Sequence, residues 1–533
     1  MHTAPTAPPS DAARPAVDWA SSGAFSRRLL RFVDGRGLVL ALLAVGVLSI
    51  PVFLARFPND MDFYTLVSTK LLRGALLYRD ALDTKPPLIF VHYALILGLA
   101  GTGRVWAVKL VTMCVLAVSA RLMLTLRREL FPASGHADLS ALMFVIASFS
   151  GTGEEFLSSN TELLANVFVL AAAVLMVTDD FRYRPWRLVG AGLFAGIACL
   201  YRYQSGAVLL AYAGAIMVTG KRGDRTARRC LLLGFGALVP AIAFVGYYAS
   251  RQELSALQWM VRYQSSYLLR HATYWPQVWV QVGVVVVSLG PTLVLAAAQA
   301  ARWRERRPLT RQQVFVLLLA TISLVPFFLG GHYFPHYVVQ AIPPLVLLST
   351  EYLVSAGRTP ERSASLSRHA PALLLGLVAV FTGVNAVFYG LYADPVDVPE
   401  LRRFVNDHSD PQDSALLWSP RIQVLLQVDR PYATRFLTNE FLTGRIFVTP
   451  NRLRHATPES TRSAAVQELW PLLMADLSHD RPRLIIDDAP GVSNFTLEHY
   501  AALAALVHEH YGPPQVVDGY TVYVRTDTSR ASP

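Results

Sequence analysis

The stretch Asn59-Asp60-Met61-Asp62-Phe63-Tyr64 and the nearby stretch Asp80-Ala81-Leu82-Asp83-Thr84-Lys85-Pro86-Pro87 decide how this chain is organised. Together they place four aspartates and a lysine between long apolar segments. Charged groups are costly inside a bilayer, so these residues are expected at a membrane surface. We interpret this polar stretch as the active site.

The composition indicates a membrane protein that also has a soluble part. Of the 533 residues, 53% are hydrophobic and only 16% are charged. The net charge of +11 could suit a nucleic-acid-binding protein. However, the arginines cluster in short segments between apolar runs, as the positive-inside rule predicts for cytoplasmic loops. We therefore expect the lipid bilayer as a partner, and no nucleic acid.

The apolar runs predict an α-helical polytopic membrane protein. A helix that spans a bilayer needs roughly 20 mostly apolar residues. By that measure about eleven spans are expected. They lie near 38–56, 105–125, 138–152, 161–178, 187–203, 205–220, 229–250, 276–300, 313–330, 337–354 and 370–391. The apolar piece from Leu88 to Ala100 is too short to span and is expected to be an interfacial or re-entrant helix.

The distribution of arginines predicts the topology. With a cytoplasmic N-terminus, every strongly basic loop lands on the inner side. Four other segments then lie outside and should form one cavity: 57–104, 151–160, 251–275 and 330–336. We expect a cell-membrane protein whose catalytic first outer loop is 57–104.

The chain divides into three parts. Residues 1–30, rich in Ala, Pro, Ser and Thr, predict a disordered cytoplasmic tail. Residues 31–394 form the transmembrane module. Residues 395–533 alternate short apolar strands with helical stretches such as 463–477 and 497–510, which is typical of a small soluble α/β domain outside the membrane. The three cysteines have no metal-binding spacing and are interpreted as packing residues.

Within the polar stretch, Asp60 and Lys85 each allow two interpretations. Asp60 follows Pro58 and precedes apolar residues at helical spacing, which predicts a short helix on the outer surface. Asp60 could be its N-cap or a catalyst. Lys85 precedes two prolines that fix the backbone of a rigid turn, but a lysine there could also snorkel to lipid phosphates.

Ionisable residues at the ends of apolar segments are further candidates. Glu162 begins an apolar helix, and Arg202 interrupts the apolar run between Leu200 and Val208. Such residues mark functional sites by default, although Glu162 could cap its helix and Arg202 could anchor at the interface. His332 and His336 flank aromatic residues at an outer helix end, where histidine often serves only as an anchor.

In this order, the motifs resemble the membrane-embedded C-type glycosyltransferase superfamily, in the branch of the protein O-mannosyltransferases and lipid A aminoarabinose transferases. That family has an Asp-Glu-x-x-Tyr stretch and then a Lys-Pro-Pro turn, which Asp60-Met61-Asp62-Phe63-Tyr64 and Lys85-Pro86-Pro87 resemble. Met61 stands where the family usually has an acid. Weaker matches are Glu162, Arg202, and Tyr337 followed by Pro343-Pro344-Leu345.

The resemblance implies a glycosyltransferase of hexosyl or pentosyl type. It would move a sugar from a polyprenyl-phosphate-linked donor to a glycan, lipid or protein acceptor of the envelope, on the outer face and with inversion. Asp60 or Asp62 would act as general base. Lys85, Arg202 and Tyr337 would bind the donor phosphate. The residues expected to contact sugar or acceptor are Glu162, Tyr64, His332 and His336.

We expect no cofactor, because few ligands besides the pair Asp60 and Asp62 would converge on a cation. A divalent cation on that pair stays an alternative. Two other functions also stay open. A transporter or flippase of lipid-linked sugars would show internal repeats and broken helices at mid-membrane. A non-catalytic envelope assembly protein would function without either aspartate.

Overall fold

The computed structural model describes residues 32–54, 60–151, 156, 158–219, 225–270, 275–305, 308–328, 333–356, 396–447, 455–490 and 492–526. The membrane part of this description is helical. Its helices are α1 (Gly37–Leu48), α2 (Ile50–Leu54), α3 (Asp60–Leu72), α4 (Pro87–Ala100), α5 (Val105–Leu130), α6 (Asp138–Phe149), α7 (Thr161–Phe181), α8 (Pro185–Tyr201), α9 (Val208–Thr219), α10 (Arg225–Ser250), α11 (Leu254–Arg270), α12 (Trp275–Glu305), α13 (Arg311–Phe328) and α14 (Ile342–Ala356). Short 3-10 turns at Pro132–Ser134, Tyr203–Ala207 and Pro335–Ala341 connect some of them.

The predicted membrane character is confirmed within the described residues. Six helical segments there are long and apolar enough to cross a bilayer, and five shorter apolar helices accompany them. The predicted span near 38–56 is divided into α1 and α2. The segment predicted as interfacial is the 14-residue helix α4, which is one of the five shorter apolar helices. The span predicted at 370–391 lies outside the described residues.

Helices α8 and α10 approach each other closely through small residues. A Cβ atom on Gly192 would overlap the carbonyl of Leu233, and one on Gly236 would overlap the carbonyl of Val189. Such small-residue contacts let helix backbones meet inside a membrane, where hydrophobicity alone does not hold helices together. This contact fixes α8, whose C-cap is Arg202.

Three of the segments predicted to lie outside the membrane meet in space. Tyr248, at the end of α10, donates a hydrogen bond to the carbonyl of Leu77 at 2.8 Å. Arg79 forms an ion pair with Glu253 at 2.5 Å. The hydroxyl of Tyr93 donates to the carbonyl of Ser159 at 3.0 Å. The described part of the predicted first outer loop therefore packs against both of the other segments.

The C-terminal part is the predicted α/β domain. Its elements are α15 (Pro399–His408), β1 (Ala415–Trp418), α16 (Gln423–Val428), α17 (Glu440–Thr443), α18 (Pro458–Thr461), α19 (Trp470–Asp480), β2 (Leu484–Asp488), α20 (Ala501–His510), β3 (Gln515–Val517) and β4 (Tyr520–Val524). The strands form one sheet in the order β1-β2-β4-β3. Strand β1 is parallel to β2, with Ala415 opposite Leu484, and the other two pairings are antiparallel.

Both β1 and β2 are buried along their whole length, as expected for strands in the middle of a core. The strands predicted from apolar runs at 415–418, 484–486 and 520–524 are confirmed. The helix predicted from residue 463 is wrong at its start. The α-helix begins at Trp470, where Pro471 occupies the first turn, in which proline is tolerated.

Candidate functional site

The centre of the candidate site is an ion pair between Asp60 and Lys85. Asp60 is the first residue of α3, as the sequence predicted. The Nζ atom of Lys85 lies 3.3 Å from its Oδ2 atom. Each side chain keeps about a third of its surface open (33% and 32%), so the pair is accessible to a substrate. Tyr64, one helical turn after Asp60, donates its hydroxyl to the same carboxylate at 3.3 Å.

Lys85 is held by the turn that carries it. Its backbone N–H donates to Oδ1 of Asp83 at 2.8 Å, and its carbonyl accepts the hydroxyl of Tyr78 at 2.8 Å. Helix α4 begins at Pro87 with Pro86 as its N-cap at φ −65°, so no backbone N–H is left unpaired at these two positions. The lysine therefore projects from a backbone fixed on both sides.

The charges of this pair stabilise each other's ionised form. Burial raises the pKa of the Asp60 carboxyl, but the Lys85 ammonium, the nearby His336 and the hydrogen bonds from Lys85 and Tyr64 outweigh burial and bring that pKa below its ordinary value. Burial lowers the pKa of Lys85, but Asp60 and further groups around it raise that pKa well above its ordinary value. Asp60 is therefore an ionised carboxylate near neutral pH.

A second, deeper ion pair joins Glu162 and Arg202. Nη1 of Arg202 lies 3.2 Å from Oε1 of Glu162, and both side chains are about 95% buried (exposures of 4% and 5%). Glu162 also accepts the hydroxyl of Thr161 at 2.8 Å. The Arg202 guanidinium lies over the ring of Tyr337, with 4.3 Å between its Cζ atom and the ring centroid. Both residues stand at helix ends, Glu162 in the first turn of α7 and Arg202 directly after α8.

The guanidinium of Arg202 retains hydrogen-bonding capacity. In the described part of the chain, neither Nη1 nor Nη2 has a hydrogen bond of good geometry, although Nη1 is ion-paired. A buried donor without a hydrogen bond is costly, and the Arg fork matches the oxygens of a phosphate or carboxylate. This arrangement suits a group that binds an anionic ligand.

The two pairs are close enough to interact. The carboxylate of Glu162 acts electrostatically on Lys85. His336 lies near both acids: its Nε2 is 3.9 Å from Glu162, and it also acts electrostatically on Asp60. The structure therefore brings together Asp60, Tyr64, Lys85, Glu162, Arg202, His336 and Tyr337. His332 lies outside the described residues.

Asp62 occupies a different side of α3. Two residues along a helix correspond to a rotation of roughly 200°. The charge of Asp62 acts on Lys109 in α5, and the Nζ of Lys109 donates to the carbonyl of Val52 at 3.0 Å. The lysine of the turn pairs with Asp60, and this geometry favours Asp60 over Asp62 as the reactive acid.

Sequence reasoning gave no role to Asp83 or Tyr78, which hold Lys85, nor to the aromatic residues of α11. Asp83 lies in the polar stretch before Pro86, and its position two residues before Lys85 is typical of an aspartate that caps a turn. No sequence pattern indicated that Tyr267 of α11 belongs to the site, because Tyr267 comes near Asp60 and Tyr337 only in the folded chain. Among the described residues, no group of three or more His, Cys, Asp or Glu side chains could hold a metal ion.

Comparison with known proteins identifies similar folds. Residues 84–248 match the family described as dolichyl-phosphate-mannose-protein mannosyltransferase. The crystal structure of ArnT from Cupriavidus metallidurans bound to undecaprenyl phosphate is 14% identical with a TM-score of 0.58, and the alignment covers 94% of this chain and 99% of ArnT. Its apo state aligns with the same TM-score and identity over 92% and 98% of the two chains.

A more distant similarity is to the Archaeoglobus fulgidus oligosaccharyltransferase, in a crystal structure tethered with an acceptor peptide. It is 13% identical with a TM-score of 0.50, and the alignment covers 92% of this chain and 74% of that one. No curated protein matches the chain significantly. At these identities the structural likeness concerns the fold, and it extends through both the membrane part and the C-terminal domain.

Proposed function

We propose that this chain belongs to the membrane-embedded C-type glycosyltransferase superfamily, in its mannosyltransferase and ArnT-like branch, and that it transfers a hexosyl or pentosyl group from a polyprenyl-phosphate donor to an envelope acceptor. The superfamily assignment rests on the family match and on a fold shared along nearly the whole chain. The observation that carries the proposed reaction is the open Asp60–Lys85 pair beside the buried group of Glu162, Arg202 and Tyr337.

The donor phosphate is assigned to Lys85 and Arg202. As the bond between the sugar and the phosphate breaks, negative charge grows on the departing phosphate. Cationic donors held in a partly buried site stabilise such charge far better than solvent-exposed ones. Lys85 projects from its fixed turn, and Arg202 has N–H groups directed by its contacts with Glu162 and Tyr337.

The acceptor is assigned to Asp60. A hydroxyl is a weak nucleophile, and a carboxylate within hydrogen-bond reach removes its proton in the transition state. In the reaction, the acceptor oxygen forms a bond to the anomeric carbon while the carbon–oxygen bond to the phosphate breaks. The polyprenyl phosphate leaves with the bonding electron pair, and Asp60 takes the proton. A single displacement of this kind inverts the anomeric centre.

The ion pair also links donor binding to the strength of the base. Lys85 keeps Asp60 ionised but lowers its pKa, which makes it a weaker base. A donor phosphate that draws Lys85 toward itself would weaken that effect, and the pKa of Asp60 would rise. The carboxylate would then be a stronger base when the donor is bound.

The proposed site faces the outer side of the membrane. This proposal is supported by the basic loops that the sequence places on the opposite side. A cysteine introduced at the exposed position Glu509 of the C-terminal domain should react with a membrane-impermeant thiol reagent in intact cells. Protection of that cysteine until the cells are lysed would contradict the orientation.

The function is tested with purified protein in lipid nanodiscs and with cells that lack the gene. We expect polyprenyl-phosphate-linked sugars, and not nucleotide sugars, to support transfer to envelope extracts. We also expect deletion to remove a sugar from extracted glycolipids or glycans, and the wild-type gene to restore it. Unchanged glycolipids and glycans after deletion, together with no transfer from any polyprenyl-phosphate donor, would overturn the proposal.

A further inference from the structure

The C-terminal domain forms backbone contacts with the loop that carries Lys85. The backbone N–H of Leu82 donates to the carbonyl of Arg435 at 2.8 Å, and Leu82 pairs with Phe436 as an isolated parallel bridge. These contacts lie three residues before Lys85. The segment Thr434–Phe436 therefore supplies part of the backbone pairing of the loop.

Lys70, in the last turn of α3, adds hydrogen bonds to this contact between the loop and the C-terminal domain. Its Nζ atom donates to the carbonyl of Thr434 at 2.7 Å and to the carbonyl of Asp80 at 2.9 Å. Nζ also lies 5.4 Å from the centroid of the Tyr432 ring. One ammonium group thus joins the helix that begins with Asp60, the loop before Lys85 and the C-terminal domain.

Within that domain, the segment is fixed by Asp476 of α19. Oδ2 of Asp476 accepts the backbone N–H of Arg435 at 2.9 Å and its Nε at 3.0 Å, while Oδ1 accepts Nη2 at 2.7 Å. Both side chains are largely buried. Such a bidentate Arg–carboxylate pair fixes the relative orientation of the two side chains as well as stabilising their contact.

A continuous series of contacts therefore runs from α19 to the ion pair. It passes from Asp476 to Arg435, from the Arg435 carbonyl to Leu82, and along the turn to Lys85, whose ammonium meets Asp60. The backbone hydrogen bonds that the loop between α3 and α4 makes within itself lie in its first part, such as Tyr78 N–H to the Ala81 carbonyl and Asp80 N–H to the Leu76 carbonyl. At Leu82, which follows them, the backbone N–H is paired with the C-terminal domain instead, so this domain adds to the order that Asp83 and Tyr78 give to the turn at Lys85.

We propose that Asp476, Arg435 and Lys70 are positioning residues for Lys85, which makes the C-terminal domain a structural component of the donor-phosphate site. This inference rests on the proposed function. A displacement of about 1 Å at a reacting group can lower a rate by roughly a hundredfold. Loosening the segment should therefore affect turnover and phosphate binding even though none of the three residues contacts the substrate.

The test uses the full-length protein and polyprenyl phosphate as the binding probe. Asp476→Ala removes the side-chain pair and the acceptor of the Arg435 N–H, and Asp476→Glu keeps a carboxylate there. We expect Asp476→Ala to lower kcat and weaken polyprenyl-phosphate binding by about tenfold, within the range of coupling between residues of one network. Asp476→Glu should restore part of both.

Two controls separate positioning from general damage. Glu498 of the same domain is a half-exposed carboxylate that pairs with His508 at 3.4 Å, so Glu498→Ala should leave kcat and phosphate binding unchanged. In a Lys85→Ala background, Asp476→Ala should weaken phosphate binding no further, because its effect acts through Lys85. An equal weakening in both backgrounds would overturn the inference.

Lys70→Met provides a second variant in case Asp476→Ala does not fold. It keeps the length and apolar stem of the side chain but removes the bonds to the Thr434 and Asp80 carbonyls. We expect the same loss of phosphate binding and the same dependence on Lys85. Wild-type binding and turnover in a folded Lys70→Met or Asp476→Ala variant would contradict the inference. If the wild-type protein itself neither binds polyprenyl phosphate nor transfers a sugar, it is the proposed function that fails.

Discussion

Lys85 and Asp60 stand 25 positions apart in the chain, yet the Nζ of one lies 3.3 Å from the Oδ2 of the other. The two residues come from different local structures, a proline-bounded turn and the start of a helix. In the proposed reaction, the pair places a cation for the leaving phosphate next to a carboxylate for the attacking hydroxyl. The reaction proposed here needs these two groups side by side.

Replacing Asp60 by Asn should abolish most transfer. The amide keeps the size of the side chain but cannot accept a proton, and general bases typically contribute about 10²–10⁴ to a rate. We expect a loss of that size in kcat for Asp60→Asn, measured with a polyprenyl-phosphate sugar. Asp62→Asn should keep most activity, because Asp62 lies on another side of α3. If Asp62→Asn is the inactive variant and Asp60→Asn is active, the base has been assigned to the wrong aspartate.

Removing the charge of Lys85 should change both rate and pH dependence. Lys85→Ala is expected to abolish most transfer without loss of membrane insertion. Since the Lys85 ammonium lowers the pKa of Asp60, its removal raises that pKa. The acid side of the pH profile of any residual activity should therefore move to higher pH. An unchanged acid limb in Lys85→Ala, or wild-type activity, would show that the two groups are not coupled in this way.

Arg202→Met should weaken donor binding and destabilise the fold. A hydrogen bond to a charged group contributes roughly 1.5–3 kcal/mol, so the affinity for polyprenyl phosphate should fall about tenfold or more. Glu162 would also be left as an unpaired buried carboxylate, and breaking a buried pair costs about 3–5 kcal/mol. Thermal unfolding should show this loss. The double variant Arg202→Met with Glu162→Gln should regain part of the stability but none of the affinity.

Arg302 offers a matched control for Arg202. Its guanidinium also lies over a tyrosine ring, with 4.1 Å between its Cζ atom and the centroid of Tyr352. Arg302 is in the last turn of α12, and its side chain also donates to Ser355 near the end of α14. Arg302→Met should leave phosphate binding unchanged. An equal loss of affinity in Arg302→Met would mean that the effect at Arg202 is not specific to the site.

Asp83 should make the stability of the protein depend on pH between about 4 and 6. Burial raises the pKa of its carboxyl from 3.8 to about 6. In that window the folded state holds more protons than the unfolded state, so this group lowers the free energy of unfolding as pH rises. Two pH units correspond to about 3 kcal/mol. Asp83→Asn keeps an oxygen acceptor for the Lys85 N–H but removes the titration.

The measurement for Asp83 is thermal unfolding in detergent from pH 4 to pH 7. We expect Asp83→Asn to be more stable than the wild type at pH 7, with the difference vanishing near pH 4. If the stability difference between Asp83→Asn and the wild type is constant over this range, Asp83 does not titrate there.

The sequence predicts those parts of the site that are formed by residues close together in the chain. Contacts between residues far apart in the chain are not predicted. The helix that begins at Asp60 and the turn around Lys85 follow from local proline and aspartate patterns, and both were predicted. The charges Glu162 and Arg202 stood out because ionisable residues are rare in apolar segments. Their direct pairing was not predicted, since it depends on how α7 and the end of α8 meet.

The contact between Lys70 and Thr434 spans 364 positions, and no local pattern signals it. Lys70 reads as an ordinary lysine near a helix end, and Arg435 and Asp476 read as surface charges of a soluble domain. The proposed shared role arises only from the docking of that domain on the loop that carries Lys85. Tertiary contacts of this kind are set by the packing of whole elements, which periodicity and composition do not encode.

The stereochemistry of the product gives the most direct test of the mechanism. Asp60 is assigned as base and Glu162 is ion-paired with Arg202, so neither carboxylate is assigned to a covalent intermediate. A single displacement should therefore invert the anomeric configuration of the donor sugar. NMR of a product made from a donor of known configuration, labelled with ¹³C at the anomeric carbon, distinguishes the two outcomes. Retention would exclude a single displacement from the face opposite the phosphate, and with it Asp60 as the base of such a transfer.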